Sequence, residues 1–250
     1  MLRRRHTLAS NTMNIIFRCD PALIHFLPRP IPAHQALPEW LRSMPSKEFS
    51  ELHGREIRTV KQCPPFVDAM SHGFMILLPC DVFVEQGVFT WDWDLPPLTV
   101  EEHPSSPLSF HVPAQIAGTP FHDGHSCALK FNSFWTIELE EGWSLFATHP
   151  VNRDDLPFRL LTGLVSSDRF TDVGINFPAI WTQAAFNGML PKGTPIAQCF
   201  PVPRVNSTLT CEAFSPEKSA QYTHLVKEVM RTPGVYRKRF RAKRGDSGGQ

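Results

Sequence analysis

The chain has 250 residues, 42% of them hydrophobic and 20% charged, and a formal net charge of +1. This length allows one large domain with a sizeable core, and the balanced charge points to no particular partner. The 24 prolines are about twice the average usage, which argues against long helices and favours short extended segments joined by stiff turns. No apolar run approaches the length of a membrane span, so we expect no membrane partner.

The beginning of the chain and the cysteines predict a cytoplasmic protein with reduced thiols. The basic start "MLRRRHTLASNTM" is interrupted by polar residues and contains no secretory apolar region. The six cysteines are scattered and form no C-x-x-C pair. Residues 1–12 are expected to be a disordered extension, because the segment that starts at Met13 is far more typical of folded protein.

The first half of the chain predicts strands separated by proline-rich segments. Residues 13–19 form a predicted strand, and a proline-rich arm follows in which Pro38 begins a short helix. Residues 46–58 are polar and are predicted to be a loop. The segment "GFMILLPCDVFVEQGVFTWDW" is typical of a β-hairpin that turns at Gln86-Gly87, and residues 95–121 predict a long loop.

The second half predicts an all-β body followed by one helix. Predicted strands cover residues 127–132, 134–139, 143–149, 158–166, 173–180 and 195–202. Ser215 as N-cap and Pro216 as first residue predict a helix over 216–231. We therefore expect a single mainly-β domain over residues 13–232. A basic flexible tail is predicted over 233–250, in which only residues 237–244 offer a nucleic-acid contact.

Two segments of the second half resemble the dUTPase and dCTP deaminase superfamily, which has the β-clip fold. They are "LLTGLVSSDRFTDVGINFPAIW" and "NGMLPKGTPIAQCFPVPR". The matching positions are Gly163, Leu164, Val165, Asp168, Phe170, Asn176, Gly193, Ile196, Ala197 and Gln198. The resemblance covers roughly residues 140–204, and it implies a β-clip-like roll or barrel. Enzymes of the dUTPase kind build their sites between subunits, so the resemblance also implies a homo-oligomer.

The segment from Met13 to about Arg241 also resembles a family of bacterial and phage proteins of unknown function. The shared phrases are "LPEWLRSMP", "TVKQCPPFVDAMSHGF", "FNSFWTIELEEGWSLFATHPVNRDDLPF" and "GTPIAQCFPVPR". This family brings no settled activity with it.

The β-clip resemblance implies a small-ligand site, nucleotide-like in character. Asn152, Arg153, Asp154 and Gln198 are the expected ligand-binding residues, with Asp168 as the candidate catalytic group and Mg²⁺ as cofactor if the ligand is a nucleotide. Ser166 stands where dUTPases carry the carboxylate that orients water, so we expect hydrolysis to be weak or altered. Two purely structural roles stay open for the same residues. Arg153 and the neighbouring aspartates could form a network that fixes the loop, and Gln198 could be a strand amide hydrogen-bonded to backbone.

Two further hypotheses belong to other classes of function. One is a non-catalytic binding or assembly protein that keeps the fold and has lost the chemistry. The other is a metal-dependent, oxygenase-like enzyme that binds iron or zinc through His122, Asp123, His125 and His149. Cys63 beside Lys61 is a candidate reactive thiol, against the usual state of a structural cysteine.

Overall fold

The computed structural model describes residues 12–92, 96, 98, 103–121 and 127–242. The described helices are α1 (Glu39–Ser43), α2 (Pro64–Ser71) and α3 (Pro216–Arg231). The described strands are β1 (Ile16–Arg18), β2 (Ile31–Pro32), β3 (Lys47–Ser50), β4 (Arg55–Arg58), β5 (Phe74–Leu77), β6 (Val82–Glu85), β7 (Val88–Trp91), β8 (Leu108–Phe110), β9 (Ala128–Phe131), β10 (Thr136–Glu138), β11 (Trp143–Thr148), β12 (Phe158–Leu160), β13 (Gly163–Val165), β14 (Phe177–Trp181), β15 (Gly188–Leu190) and β16 (Pro195–Pro203).

The chain divides into two compact units, residues 14–204 and the residues on either side of that range. The first unit holds all the described strands, and every strand pairing is antiparallel. The largest sheet has the order β13-β11-β16-β5-β2, and a second has the order β12-β14-β9-β8. Smaller sheets are β15-β6-β7, β1-β10 and β3-β4. The prediction of a mainly-β fold is confirmed, and in the described part of the chain the sheets form no closed barrel.

Strand β16 is the central strand of the largest sheet, and its middle residues are buried on both faces. Ile196, Ala197, Gln198 and Cys199 are all buried, which is typical of a central strand covered on two sides. Its register on β11 runs from Trp143 opposite Pro203 to Thr148 opposite Gln198. The two segments that resemble β-clip proteins contribute β13 and β16, and both strands pair with β11.

The proline-rich arm is held by apolar contacts and by one indole hydrogen bond. Leu23 and Leu27 are buried in a cluster with Phe134 and Trp135. The Trp135 Nε1–H donates to the Pro28 carbonyl at 3.2 Å. Later in the arm, α1 begins after Pro38, as the sequence predicts.

The hairpin predicted at Gln86-Gly87 is confirmed, with β6 and β7 as its arms. Both turn residues have positive φ, 50° and 79°, which is the geometry of a type I′ turn. The predicted loop at 46–58 is wrong: β3 and β4 form a second hairpin, closed by Gly54 in the left-handed region. Helix α2, whose first positions are Pro64 and Pro65, was not predicted from the sequence.

The second unit contains α3, whose bounds agree with the predicted helix. Ser215 caps it, since its hydroxyl oxygen accepts the Lys218 N–H at 3.2 Å. No residue of α3 is buried. Within the predicted tail, Tyr236–Phe240 forms a π-helical turn. Residues 243–250, and residues 1–11 of the predicted extension, lie outside the described range.

Candidate functional site

The loop after β11 contains Asn152, Arg153 and Asp154, three of the residues predicted to bind a ligand. The Arg153 guanidinium is bidentate to the Asp155 carboxylate, with Nε–Oδ1 at 2.8 Å and Nη2–Oδ2 at 2.9 Å. Burial raises the pKa of Asp155, but the hydrogen bonds and charge of Arg153 outweigh it and the pKa is lowered. Asn152 has φ 58° and is exposed, as is Asp154. This geometry agrees with the structural alternative, in which an Arg–Asp network fixes the loop.

His149 begins the same loop and makes two hydrogen bonds to backbone. Its Nε2 lies 3.0 Å from the Arg153 carbonyl oxygen, and its Nδ1 lies 3.3 Å from the Leu160 nitrogen. The carbonyl can only accept and the amide can only donate, so the neutral ring carries its proton on Nε2. Burial lowers the pKa of His149. Both ring nitrogens are therefore engaged and the imidazole is held neutral.

Gln198 lies beneath this loop and is fully buried. Its Oε1 accepts the Val151 N–H at 2.9 Å. Its Nε2 donates to the carbonyls of Ala69 at 2.9 Å and His72 at 2.8 Å. Both amide hydrogens are thus used within the protein, so Gln198 has no donor left to offer a ligand. The alternative interpretation, a strand amide bonded to backbone, describes what this residue does.

Asp168, the candidate catalytic group, forms an ion pair with Arg204. The Arg204 Nη1 donates to Oδ1 at 2.7 Å, Nη2 donates to Oδ2, and the Gly142 N–H donates to Oδ2 at 3.0 Å. These hydrogen bonds, that from Arg204 above all, hold the pKa of Asp168 well below its usual range. A carboxylate with both oxygens engaged and so low a pKa is a poor general base.

Asp168 lies apart from Asn152, Arg153 and Gln198, with which it was expected to form one site. Asp168 contacts Gly142, at the beginning of β11, whereas Gln198 and the loop with Asn152 and Arg153 lie at its end. A six-residue strand places its two ends about 17 Å apart. The predicted single site is therefore two separate structural clusters, each of which ties a strand end to its surroundings.

The proposed metal site falls mostly outside the described residues, which exclude His122, Asp123 and His125. The fourth member, His149, has no ring nitrogen left for a metal, as its two hydrogen bonds show. Among the described residues, no three His, Cys, Asp or Glu side chains gather closely enough to hold an ion. The candidate thiol Cys63 is exposed, and the Lys61 ammonium beside it donates instead to the carbonyls of Arg42 and Met44.

A cavity of about 510 Å³ lies elsewhere in the first unit. We name it the Arg18 cavity. Four separate stretches of chain line it: residues 18–21, 103–104, 133–136 without Trp135, and 171–174. Its volume is within the range of ligand pockets in proteins. Sequence patterns could not reveal it, because its members lie on four segments far apart in the chain.

The lining of the Arg18 cavity mixes charged, hydroxyl and aromatic groups. Arg18 forms an ion pair with Glu138, and Asp20 is buried with its Oδ1 accepting the Ala22 N–H at 2.8 Å. The His103 ring lies against Phe134, with centroids 5.1 Å apart. Thr171 donates its hydroxyl to Asp172 at 3.2 Å. The site therefore offers hydrogen-bonding groups beside one aromatic surface.

Three residues of the lining bear on how the cavity is built and what it offers a ligand. A side chain on Gly174 would place Cβ 2.4 Å from the Ser133 carbonyl oxygen, so the close approach of these two segments requires glycine. Thr136 carries a buried hydroxyl that has no hydrogen-bond partner in the described part of the chain. Cys19 is no nucleophile here, because burial, and then the charge of Asp20, raise the pKa of its thiol.

The helices of the described residues are all too short or too polar to cross a membrane. Comparison of the chain with protein-family models and with curated proteins gave no match.

Proposed function

We propose that this protein binds a small, nucleoside-sized organic ligand in the Arg18 cavity and does not hydrolyse it through Asp168. The observation that carries this proposal is the cavity itself, in which four distant stretches of chain assemble polar side chains around about 510 Å³. This is the ligand-binding hypothesis drawn from the sequence, moved to a different place on the molecule.

The lining indicates the character of the ligand. Arg18 is its cationic residue and is already paired with Glu138, while Asp20 and Asp172 contribute two carboxylates. A polyphosphate would find no unpaired arginine or lysine in the described lining, so it would need Mg²⁺ to neutralise its charge. A flat ring with hydrogen-bonding edges, neutral or singly charged, suits the cavity better because His103 and Phe134 add aromatic surface.

The absence of dUTPase-like hydrolysis follows from two features of the chain. Ser166 occupies the position at which the resemblance places a water-orienting carboxylate. The remaining carboxylate, Asp168, is bonded to Arg204 through both oxygens. Arg204 also donates to the Trp143 carbonyl at 2.8 Å, so the pair fastens the start of β11 to the end of β16.

Kinship with β-clip proteins belongs to the same proposal. It is supported by one strand from each resembling segment, β13 and β16, which lie on either side of β11 in one antiparallel sheet. A cytoplasmic location is also proposed, and the six free cysteines agree with a reducing compartment.

A second function, assembly with other copies of the chain, is favoured by one surface. Leu164, Phe146 and Phe200 stand opposite one another in register across β13, β11 and β16, so their side chains share one face. Leu164 is 64% exposed. An exposed apolar row beside an edge strand is a typical contact surface for another subunit. Light scattering should show an oligomer that Leu164→Lys dissociates, and a monomeric wild type would exclude this function.

Ligand binding is tested by thermal unfolding of the purified full chain against nucleobases, nucleosides, and nucleotides with and without Mg²⁺. A ligand present at about 100 times its Kd stabilises the fold by about 2.7 kcal/mol. For a chain of this length, that free energy raises Tm by about 5–10 °C. If no member of the panel raises Tm, the nucleoside-like proposal is wrong.

Two matched variants place the ligand. Val173→Trp fills the Arg18 cavity from an exposed position, and it should abolish the rise in Tm without lowering the stability of the free protein. Val88→Trp makes the same change on an exposed hairpin residue outside the lining, and it should leave the rise intact. A ligand that binds both variants alike would show that the site is elsewhere.

A further inference from the structure

The end of the second unit carries an unbalanced positive charge. Between residues 227 and 241 lie six cations and one carboxylate, Glu228. The cations are Lys227, Arg231, Arg237, Lys238, Arg239 and Arg241, and all six residues are exposed. Such a concentration of charge raises the local concentration of anionic partners and speeds their encounter.

Two aromatic side chains alternate with these cations. Tyr236 and Phe240 are 46% and 48% exposed, and they stand one helical turn apart in the π-helical segment. Exposed aromatic rings among arginines are costly for a surface that contacts only water. They are the usual platform on which unpaired bases stack.

The segment makes hydrogen bonds within its own backbone and an ion pair with α3. The Arg241 N–H donates to the Tyr236 carbonyl at 2.9 Å, and the Lys238 N–H donates to that of Gly234 at 3.1 Å. Arg239 forms an ion pair with Glu228 of α3 and lies over the Phe240 ring, 5.3 Å from its centroid. Arg239 thus links the Phe240 ring to Glu228 of α3.

We propose that residues 227–241 bind single-stranded nucleic acid, with the cations on phosphates and Tyr236 and Phe240 stacked on bases. This surface is distinct from the Arg18 cavity and does not rest on the function proposed for it. Single strands are favoured over duplex because stacked bases cannot be reached inside a helix. A membrane surface fits less well, because Tyr236 and Phe240 are the only apolar side chains of the π-helical turn, whereas an interfacial helix buries a broad apolar face.

The test is fluorescence anisotropy with the full chain and a labelled oligothymidylate of about 20 nucleotides, a length that spans one or more typical single-strand sites. Binding is measured between about 50 and 200 mM salt, because each phosphate contact on a single strand contributes about 0.7 to the slope of log K against log salt. Replacing Arg231, Arg237 and Lys238 together by Gln should lower that slope by about 2, because each phosphate contact contributes about 0.7.

A second variant and a matched control separate stacking from charge. Tyr236→Ala with Phe240→Ala should weaken binding about tenfold or more and leave the salt slope unchanged. The control replaces Lys47, Arg55 and Arg58 of the β3–β4 hairpin by Gln, the same loss of charge on another exposed surface, and should bind as wild type does.

Three results would overturn the proposal. The first is the absence of oligothymidylate binding by the wild type at the lowest salt. The second is equal weakening by the hairpin control, which would reduce the effect to overall charge. The third is unchanged binding by the double aromatic variant together with equal affinity for duplex DNA or for phosphatidylcholine–phosphatidylserine vesicles, which would show a general anion surface.

Discussion

Gln198 links strand β16 to the end of α2 and to the loop after β11, and this makes it a structural residue. Replacing it by Glu keeps the size but turns a carboxylate oxygen toward the carbonyls of Ala69 and His72. Burial and these carbonyls would raise the pKa of the new carboxyl. The folded protein would then hold this carboxyl in its protonated form, and the free-energy cost of doing so increases as the pH rises. We expect Gln198→Glu to lose about 3 kcal/mol at alkaline pH and less near pH 5.

Urea unfolding measures this loss, and Gln183→Glu at an exposed position is the control. A Gln198→Glu protein as stable as the control at high pH would show that the amide hydrogen bonds contribute little. Loss of ligand binding without loss of stability would instead restore Gln198 to the site.

The Asp168–Arg204 pair makes a second prediction at the same scale. Because the folded-state pKa of Asp168 is lowered, the pair stabilises the fold above about pH 4. That stabilisation is lost as the pH falls through the lower folded-state value. Asp168→Asn should therefore unfold at lower urea near neutral pH and lose less stability than wild type on acidification.

Arg204→Gln should act on the same interaction, so the two changes combined should cost less than their sum. Asp154→Asn, on an exposed carboxylate, should have little effect. If Asp168→Asn is as stable as wild type but loses a measurable turnover, Asp168 is catalytic and our assignment is wrong.

At the scale of elements, the approach of β5 to β16 depends on Gly73. It has φ 72°, and an added Cβ would lie 2.1 Å from the Cys199 carbonyl oxygen. Gly87, at a hairpin tip, has φ 79° and open space around it. Alanine at either position costs about 1–2 kcal/mol for the left-handed backbone. Gly73→Ala should cost about 1–3 kcal/mol more, because the sheet must open to admit the methyl group. Equal chemical-denaturation midpoints for the two variants would contradict this account.

Elements with strong local signals could be predicted from the sequence, and those stabilised by their context could not. The Ser215 cap with Pro216 predicted α3 to the residue, and Gln86-Gly87 predicted the hairpin turn. Hairpin β3–β4 was missed because its residues are polar and exposed, so no alternation of apolar side chains identified it. Helix α2 was not predicted because two consecutive prolines are rare inside helices, although the first helical turn needs no N–H donors.

At the scale of the whole molecule, the candidate site was the part least open to prediction. The loop after β11 was predicted to bind a ligand, but its Arg153 and Asp155 form an ion pair with each other. The Arg18 cavity depends on where β1, His103, β10 and the 171–174 segment meet, and no local pattern encodes that meeting. A strand can be predicted from consecutive residues, whereas this cavity can be found only once the tertiary structure is known.

The pH dependence of the whole fold should follow from groups that the structure engages. The pKa of His149 is lowered by burial, so below about pH 6.5 the unfolded chain binds a proton that the native ring does not. Stability should then fall as the pH drops from about 6.5 toward 5. A second loss should begin below about pH 4, where unfolded Asp155 and Asp168 take up protons before the folded protein does.

His149→Gln separates the two losses. It removes the titrating ring, so the first loss should disappear while the second stays, and stability near neutral pH should be lower because the Leu160 N–H and the Arg153 carbonyl lose their partner. His34→Gln, at an exposed histidine, should keep both losses. Urea midpoints across the pH range measure the effect. A wild-type protein whose stability is flat between about pH 8 and pH 5 would contradict this account, because it would mean that the native and unfolded chains bind protons alike over that range.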